Sequence, residues 1–150
     1  MNYEDNLTIA SFKLIRNKYG VHTKRLISFH VPNGGNRNAR EGAKFKRMGV
    51  VPGIPDIYVD KSCGGLHGLR IELKSARLKD IVNGVPVWER LTYPRPEQRE
   101  LLVDYHYDDY ASDVAWTLND VEEICARYFS GNWEPSEYMK SLIDKSKEEK

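Results

Sequence analysis

Two short apolar runs separated by a glycine pair constrain this chain more than any other feature. Ile57-Tyr58-Val59 and Leu69-Arg70-Ile71-Glu72-Leu73 have the length and content of strands, and Gly64-Gly65 lies between them. A hairpin centred near Gly64 sets Asp56 opposite Glu72 and Asp60 opposite Gly68. Because side chains alternate along a strand, Ile57, Val59, Leu69, Ile71 and Leu73 share one face, while Asp56, Tyr58, Asp60, Arg70, Glu72 and Lys74 share the other. The first face reads as a core and the second as a site. Two carboxylates directly opposite one another have Cβ atoms roughly 5 Å apart, and they repel unless something positive sits between them.

A hard divalent cation accepts oxygen ligands in that arrangement. Lys74, two residues after Glu72, leans toward the same spot. Two acids around a metal with an ammonium beside them are the equipment of phosphodiester hydrolysis: the metal activates a water, and the positive charge meets the negative charge that develops. The competing reading is an ordinary hairpin with a solvated charged face and a surface Lys–Glu pair. Register separates the two, since a slip of one residue inverts the faces.

The chain is 150 residues long with 40% hydrophobic content, which suits one globular domain, and no run approaches a membrane span or a signal peptide. The expected division is a domain over residues 1–131 and a polar tail over 132–150, with room for a short helix after Pro135 and frayed last residues. Cys63 and Cys125 form no metal-type spacing and point to a reducing compartment, the cytoplasm. A net charge of +1 makes local distribution of charge more telling than its sum.

Tyr3 to Tyr19 reads as an amphipathic helix with Leu7, Ala10, Ser11, Leu14 and Ile15 inward, ended by Gly20. Glu4 stands at the start of that stripe. It is either an acid favoured by the helix dipole or a third carboxylate reaching the site. Arg25 to Val31 reads as a strand running into Pro32-Asn33-Gly34-Gly35-Asn36-Arg37-Asn38, which is either a surface turn or a loop that a phosphate can approach closely. Ala39 to Met48 reads as a short helix with Ala39, Gly42, Ala43 and Phe45 toward the protein. Arg37, Arg40, Lys44 and Arg47 make one basic stripe, which is either a solvated face or a set of backbone contacts to nucleic acid. Val82-Asn83-Gly84-Val85 suggests the turn of a second hairpin, flanked by Trp88 and Tyr93, for which packing on the domain is the simpler role than stacking on a base. A helix starts near Arg95-Pro96-Glu97-Gln98 with Gln98 inward, where it bonds a neighbouring backbone group or holds Lys74 or the attacking water. Asp113 to Thr117 reads as the last strand. Leu118 to Phe129 reads as a helix whose capping box is Asn119 with Glu122. His30 ends its strand close to the site, where a structural role is the simpler reading.

This order of motifs resembles the VRR-NUC family, the virus-type replication-repair nucleases of the PD-(D/E)XK superfamily: a helix with Glu4, a strand, Pro32-Asn33-Gly34-Gly35, a basic helix, Gly53-Ile54-Pro55-Asp56, Gly64-Gly65-Leu66-His67-Gly68, Glu72-Leu73-Lys74, then a helix with Gln98. The resemblance spans roughly Glu4 to Tyr128. It implies an α/β fold like that of type II restriction enzymes, with a central mixed β-sheet flanked by helices. It implies a DNA endonuclease that uses Mg²⁺ or Mn²⁺, held by Asp56, Glu72 and the backbone carbonyl of Leu73. Lys74 would be the catalytic lysine, with Glu4 and Gln98 supporting, and Asn33, Gly34, Gly35, Arg37, Arg40, Lys44 and Arg47 on the DNA. Small members look like phage or prophage proteins acting in the bacterial host cytoplasm, and are associated with homodimers that cut branched DNA, including four-way (Holliday) junctions in replication and repair. Family members often carry Glu-x-x-Leu-Gln in the first helix; here Thr8 follows Leu7. The stretch between Lys74 and Gln98 is also longer than in compact members. The alternatives are a module that binds DNA junctions without cutting, a nuclease of flap, end or restriction-like specificity, and an interaction protein whose tail from Trp133 binds a partner.

Overall fold

A computed structural model describes residues 1–20, 27–32 and 39–149. Its centre is a four-stranded mixed sheet in the order β1 (Ser28–His30), β2 (Ile57–Val59), β3 (Leu69–Leu73), β6 (Ala111–Ala115), antiparallel except for the last pair. Strands β4 (Ala76–Val82) and β5 (Val85–Arg90) form a separate hairpin. The helices are α1 (Tyr3–Ile15, continued by a π-helical turn to Gly20), α2 (Ala39–Arg47), α3 (Pro96–Tyr107), α4 (Leu118–Phe129) and α5 (Glu137–Glu148).

The β2–β3 register is the expected one: Ile57, Tyr58 and Val59 pair with Ile71, Arg70 and Leu69. Cys63 and Leu66 exchange both backbone hydrogen bonds around Gly64 and Gly65, which sit at φ +58° and +83°. Two consecutive positive φ angles are what a tight hairpin turn needs and what glycine supplies. Ile57, Val59, Leu69 and Ile71 are fully buried, with Leu73 beside them, against Leu7, Phe12 and Ile15 of α1 and Val121, Ile124 and Tyr128 of α4. Each such side chain contributes about 1.5–3 kcal/mol by leaving water.

The opposite face of the sheet is covered as well. Leu102 and Val103 of α3 and Met139, Leu142 and Ile143 of α5 pack with Val114 and Trp116 in a second core. The face carrying Arg70 is therefore not a solvated surface. The Arg70 guanidinium lies 4.3–5.2 Å from the rings of Tyr58, Tyr105 and Tyr110 and bonds Asp60 at 2.9 Å. At the end of that face, Asp56, Glu72 and Lys74 line a cleft.

Several local expectations shift. The last strand lies two residues earlier than Asp113–Thr117, because Thr117 serves as the N-cap of α4. The capping box is Thr117 with Asp120, not Asn119 with Glu122: the Thr117 hydroxyl accepts from Asp120 N, and the Asp120 carboxylate accepts from Thr117 N. In α2, Ala39, Gly42 and Ala43 are exposed, against the expectation that they face the protein, and only Phe45 is half-buried. The polar tail contains a twelve-residue helix whose Met139 is fully buried. Asp113, also fully buried, fastens it by accepting from the backbone N and the hydroxyl of Ser136 at 2.8 and 2.5 Å.

Candidate active site

The N-terminal ends of α1 and α3 and the end of the β2–β3 pair enclose a cleft of about 480 Å³, lined by Glu4, Thr8, His30, Asp56, Glu72, Lys74, Arg95 and Gln98 among others. Each wall has a local reason to stand where it does. Asn2 caps α1 by accepting from Asp5 N at 2.8 Å, which sets Glu4 in the first turn. Gly53, at φ +84°, leaves no room for a side chain, since a Cβ there would lie 3.0 Å from the backbone of Glu97. That close approach brings the Gly53-Ile54-Pro55-Asp56 segment against the start of α3. Pro96 opens α3, whose missing N–H costs nothing at a first turn.

Extending the observed register by one and two residues places Asp56 across from Glu72 and Pro55 across from Leu73. Alternate residues of a strand direct their N–H and C=O to the same neighbour. Leu73 N points away from β6, donating to Asp56 Oδ2 at 2.8 Å, whereas Lys74 N bonds Ala115 O of β6 at 2.9 Å. The Leu73 carbonyl therefore points toward the Asp56 side, opposite a proline that has no N–H to offer it. Proline ends the ladder and leaves a carbonyl oxygen beside two carboxylates.

Glu72 is 2% exposed. Its Oε1 accepts from Gln98 Nε2 at 3.0 Å and lies 3.8 Å from Lys74 Nζ, while its buried Oε2 has no partner but the neighbouring Asp56 carboxyl. Burial, then the charge of Asp56, push the Glu72 carboxyl up to about 9, against the pull of Lys74. Burial likewise raises Asp56, partly offset by the Leu73 N–H, and raises Glu4. These are acids uncomfortable as anions until a cation joins them. A buried carboxylate oxygen, a second carboxylate and a free-facing carbonyl form a hard oxygen set, which fits Mg²⁺ or Mn²⁺. Among the described residues no three histidine, cysteine or carboxylate groups converge as a ready-made chelate, so two acids and the main chain would carry the ion.

Gln98 does two things: its Oε1 accepts from Arg95 N at 2.8 Å, capping α3, and its Nε2 holds Glu72. His30 Nδ1 lies 2.8 Å from the Asp56 carbonyl oxygen, tying β1 to the loop that carries the acid.

No family model matches the sequence, and no curated protein matches it. A solved structure described as a VRR_NUC domain protein superposes with a TM-score of 0.62 at 27% identity, covering 89% of this chain and 92% of that one. Over nearly its whole length the chain is similar to a VRR_NUC domain. The sheet and its flanking helices are those of a PD-(D/E)XK-type fold.

Within this domain, Glu4, Asp56, Glu72, Leu73, Lys74 and Gln98 all line one cleft. Arg40, Lys44 and Arg47 lie on exposed α2 and do not line it. Asn33, Gly34, Gly35 and Arg37 fall outside the described residues. Sequence reasoning missed Thr8 and Arg95 as cleft residues. Thr8 was within reach, four residues after Glu4 on the same helix face, where its hydroxyl bonds the Glu4 carbonyl at 2.7 Å. Arg95 carries no such signal, because it reaches the cleft only through the cap position of α3.

Proposed function

We propose that this domain is a VRR-NUC nuclease, a metal-dependent endonuclease that hydrolyses phosphodiester bonds in DNA, prefers branched forms such as four-way junctions, and acts as a homodimer in the cytoplasm. The observation that carries the reading is the buried Glu72 oxygen that meets only the Asp56 carboxyl, with Lys74 at 3.8 Å on the other oxygen. Asp56, Glu72 and the Leu73 carbonyl would hold Mg²⁺ or Mn²⁺. When bound, the ion supplies Lewis-acid charge for the phosphodiester and lowers the pKa of water. Lys74, almost buried at the cleft floor, orients the attacking water and offers positive charge to the phosphate oxygens. Gln98 keeps the Glu72 carboxylate turned toward the cleft, and Glu4 adds negative charge at its far wall. The exposed cations Arg40, Lys44 and Arg47 of α2 hold the DNA backbone without reading bases.

The test is cleavage of end-labelled four-way junction, flap, nicked and linear DNA in Mg²⁺ or Mn²⁺, alongside the Lys74→Ala protein. Metal-dependent cutting that favours a branched form and is lost in the variant supports the reading. Binding without cutting on every shape would replace it with a junction-binding module.

A further inference from the structure

We propose that a groove along α1, continuous with the cleft, is a second substrate subsite in which Lys13 and Arg16 hold phosphates of the DNA strand on one flank of the scissile bond. This deepens the nuclease reading and rests on it for where the scissile phosphate lies.

The cleft does not end at its own walls. Thr8 and His30 line it, and the same two residues line a neighbouring concavity of about 440 Å³ that follows α1. His30 is tied down at this junction. Its Nδ1 lies 2.8 Å from the Asp56 carbonyl oxygen, which can only accept, so Nδ1–H donates and Nε2 is left for a ligand.

The two hollows differ in charge. The cleft gathers Glu4, Asp5, Asp56 and Glu72 around its cations, whereas the groove carries Lys13 and Arg16 and, among the described residues, no carboxylate. Both cations are exposed, and among the described residues neither joins an ion pair. The next cation along the chain, Lys18, is by contrast bound to Glu122 at 2.7 Å. Exposed cations alone are commonly just solvated, but this groove has an apolar wall as well. Phe12 is 9% exposed, Ile9 is 56% exposed, and the Arg16 guanidinium lies 5.2 Å from the centre of the Phe12 ring. Stacking on that ring orders the arginine before any ligand arrives. Arg16 and Asn17 also open the π-helical turn, a rare geometry that recurs at functional sites.

Spacing suits a strand. Ile9, Lys13 and Arg16 follow at intervals of four and three and so share one side of the helix. Arg16 lies about 12 Å along the axis from Thr8. One strand of duplex DNA advances about 3.4 Å per phosphate, so the groove spans roughly three to four phosphates. A strand whose scissile phosphate sits over Asp56 and Glu72 continues past Thr8 and His30, its phosphates on Lys13 and Arg16 and its sugars against Ile9 and Phe12. An acidic peptide would meet the same cations; continuity with a cleft built for a phosphodiester favours DNA.

The test is gel-shift binding, in Ca²⁺, of a four-way junction carrying one neutral methylphosphonate at a time, scanned along every arm, with the cut mapped separately in Mg²⁺ or Mn²⁺. A run of two to four neutral positions on one flank of the cut should each weaken binding about threefold or more. In the Lys13→Ala, Arg16→Ala protein, affinity should fall about tenfold or more. That run should then lose its effect while the other sensitive positions keep theirs. Arg16→Lys, which retains the charge, should keep the run. Unchanged affinity, or a loss that leaves the interference pattern as it was, overturns the proposal while the nuclease reading stands. The expected change of pattern without any cutting keeps the groove as a DNA site and removes the nuclease reading. A protein that binds no DNA overturns both. Junction binding that survives the double substitution while binding of polyglutamate is lost overturns the proposal and assigns the groove to an acidic protein segment.

Discussion

Gln98 Nε2 and Glu72 Oε1 are joined by a 3.0 Å hydrogen bond that crosses from the first turn of α3 to β3. The same glutamine caps its own helix through Oε1, so one side chain couples the start of α3 to the carboxylate it serves. In Gln98→Ala, Glu72 loses its neutral donor, and we expect Mn²⁺ affinity, measured by calorimetry, to fall about tenfold or more. Unchanged affinity would reduce Gln98 to a helix cap.

Lys74 is 11% exposed and touches the same carboxylate. Lys74→Ala should lower the cleavage rate at saturating metal by about two orders of magnitude or more. DNA binding in Ca²⁺, followed by gel shift, should change little. Loss of binding in step with cutting would make the lysine a phosphate anchor.

The raised Glu72 pKa has a thermodynamic consequence in metal-free protein. Between the ordinary glutamate value of 4.5 and about 9, the folded state keeps a proton that the unfolded chain has released. Stability from this group is therefore lost as pH rises through that window. Melting temperature without metal should fall from pH 5 toward pH 9, Mg²⁺ or Mn²⁺ should raise it most at the alkaline end, and Glu72→Gln should flatten the dependence. A melting temperature that climbs with pH and ignores this substitution would contradict the buried, protonated acid.

Asp113 is the buried anchor of the C-terminal helix, bonded twice to Ser136 and lying 3.4 Å from Arg127. Asp113→Ala leaves those donors without an acceptor and should destabilise the fold by about 3 kcal/mol, read by urea titration. Removing residues 136–150 should do similar damage by uncovering Trp116 and Leu102, whose neighbours in the core include Met139 and Ile143.

Replacing Arg40, Lys44 and Arg47 with alanine should weaken DNA binding uniformly across sequences and reduce the slope of log affinity against log salt by about 3. A change confined to one DNA shape would give α2 a role in substrate selection instead.

Strand alternation and a glycine pair made the β2–β3 register legible, because one face had to be apolar throughout and a slip would have put Ile57 and Ile71 in water. The juxtaposition of Asp56 and Glu72 in the candidate cleft followed from that register. Helix α5 was not read as core although Met139, Leu142 and Ile143 stand at helical spacing of three and four: the surface that buries them, Leu102, Val103 and Trp116, is distant in sequence, as is Asp113, which holds Ser136. The capping box of α4 was misplaced for a related reason. Asn119 and Glu122 have the right letters, but the strand ends at Ala115, and the chain must turn at Thr117 to start the helix.

Pro55 gives the proposed site an unusual heredity. A main-chain oxygen has no codon of its own, so no substitution at position 73 can delete it, and leucine can drift there toward any residue that still fills the core. What selection can reach is the residue across the ladder. Any other amino acid at 55 would bring an N–H opposite the Leu73 carbonyl and offer it a competing partner. The variability permitted to one of the three oxygens is thus written at a neighbour that never touches the substrate.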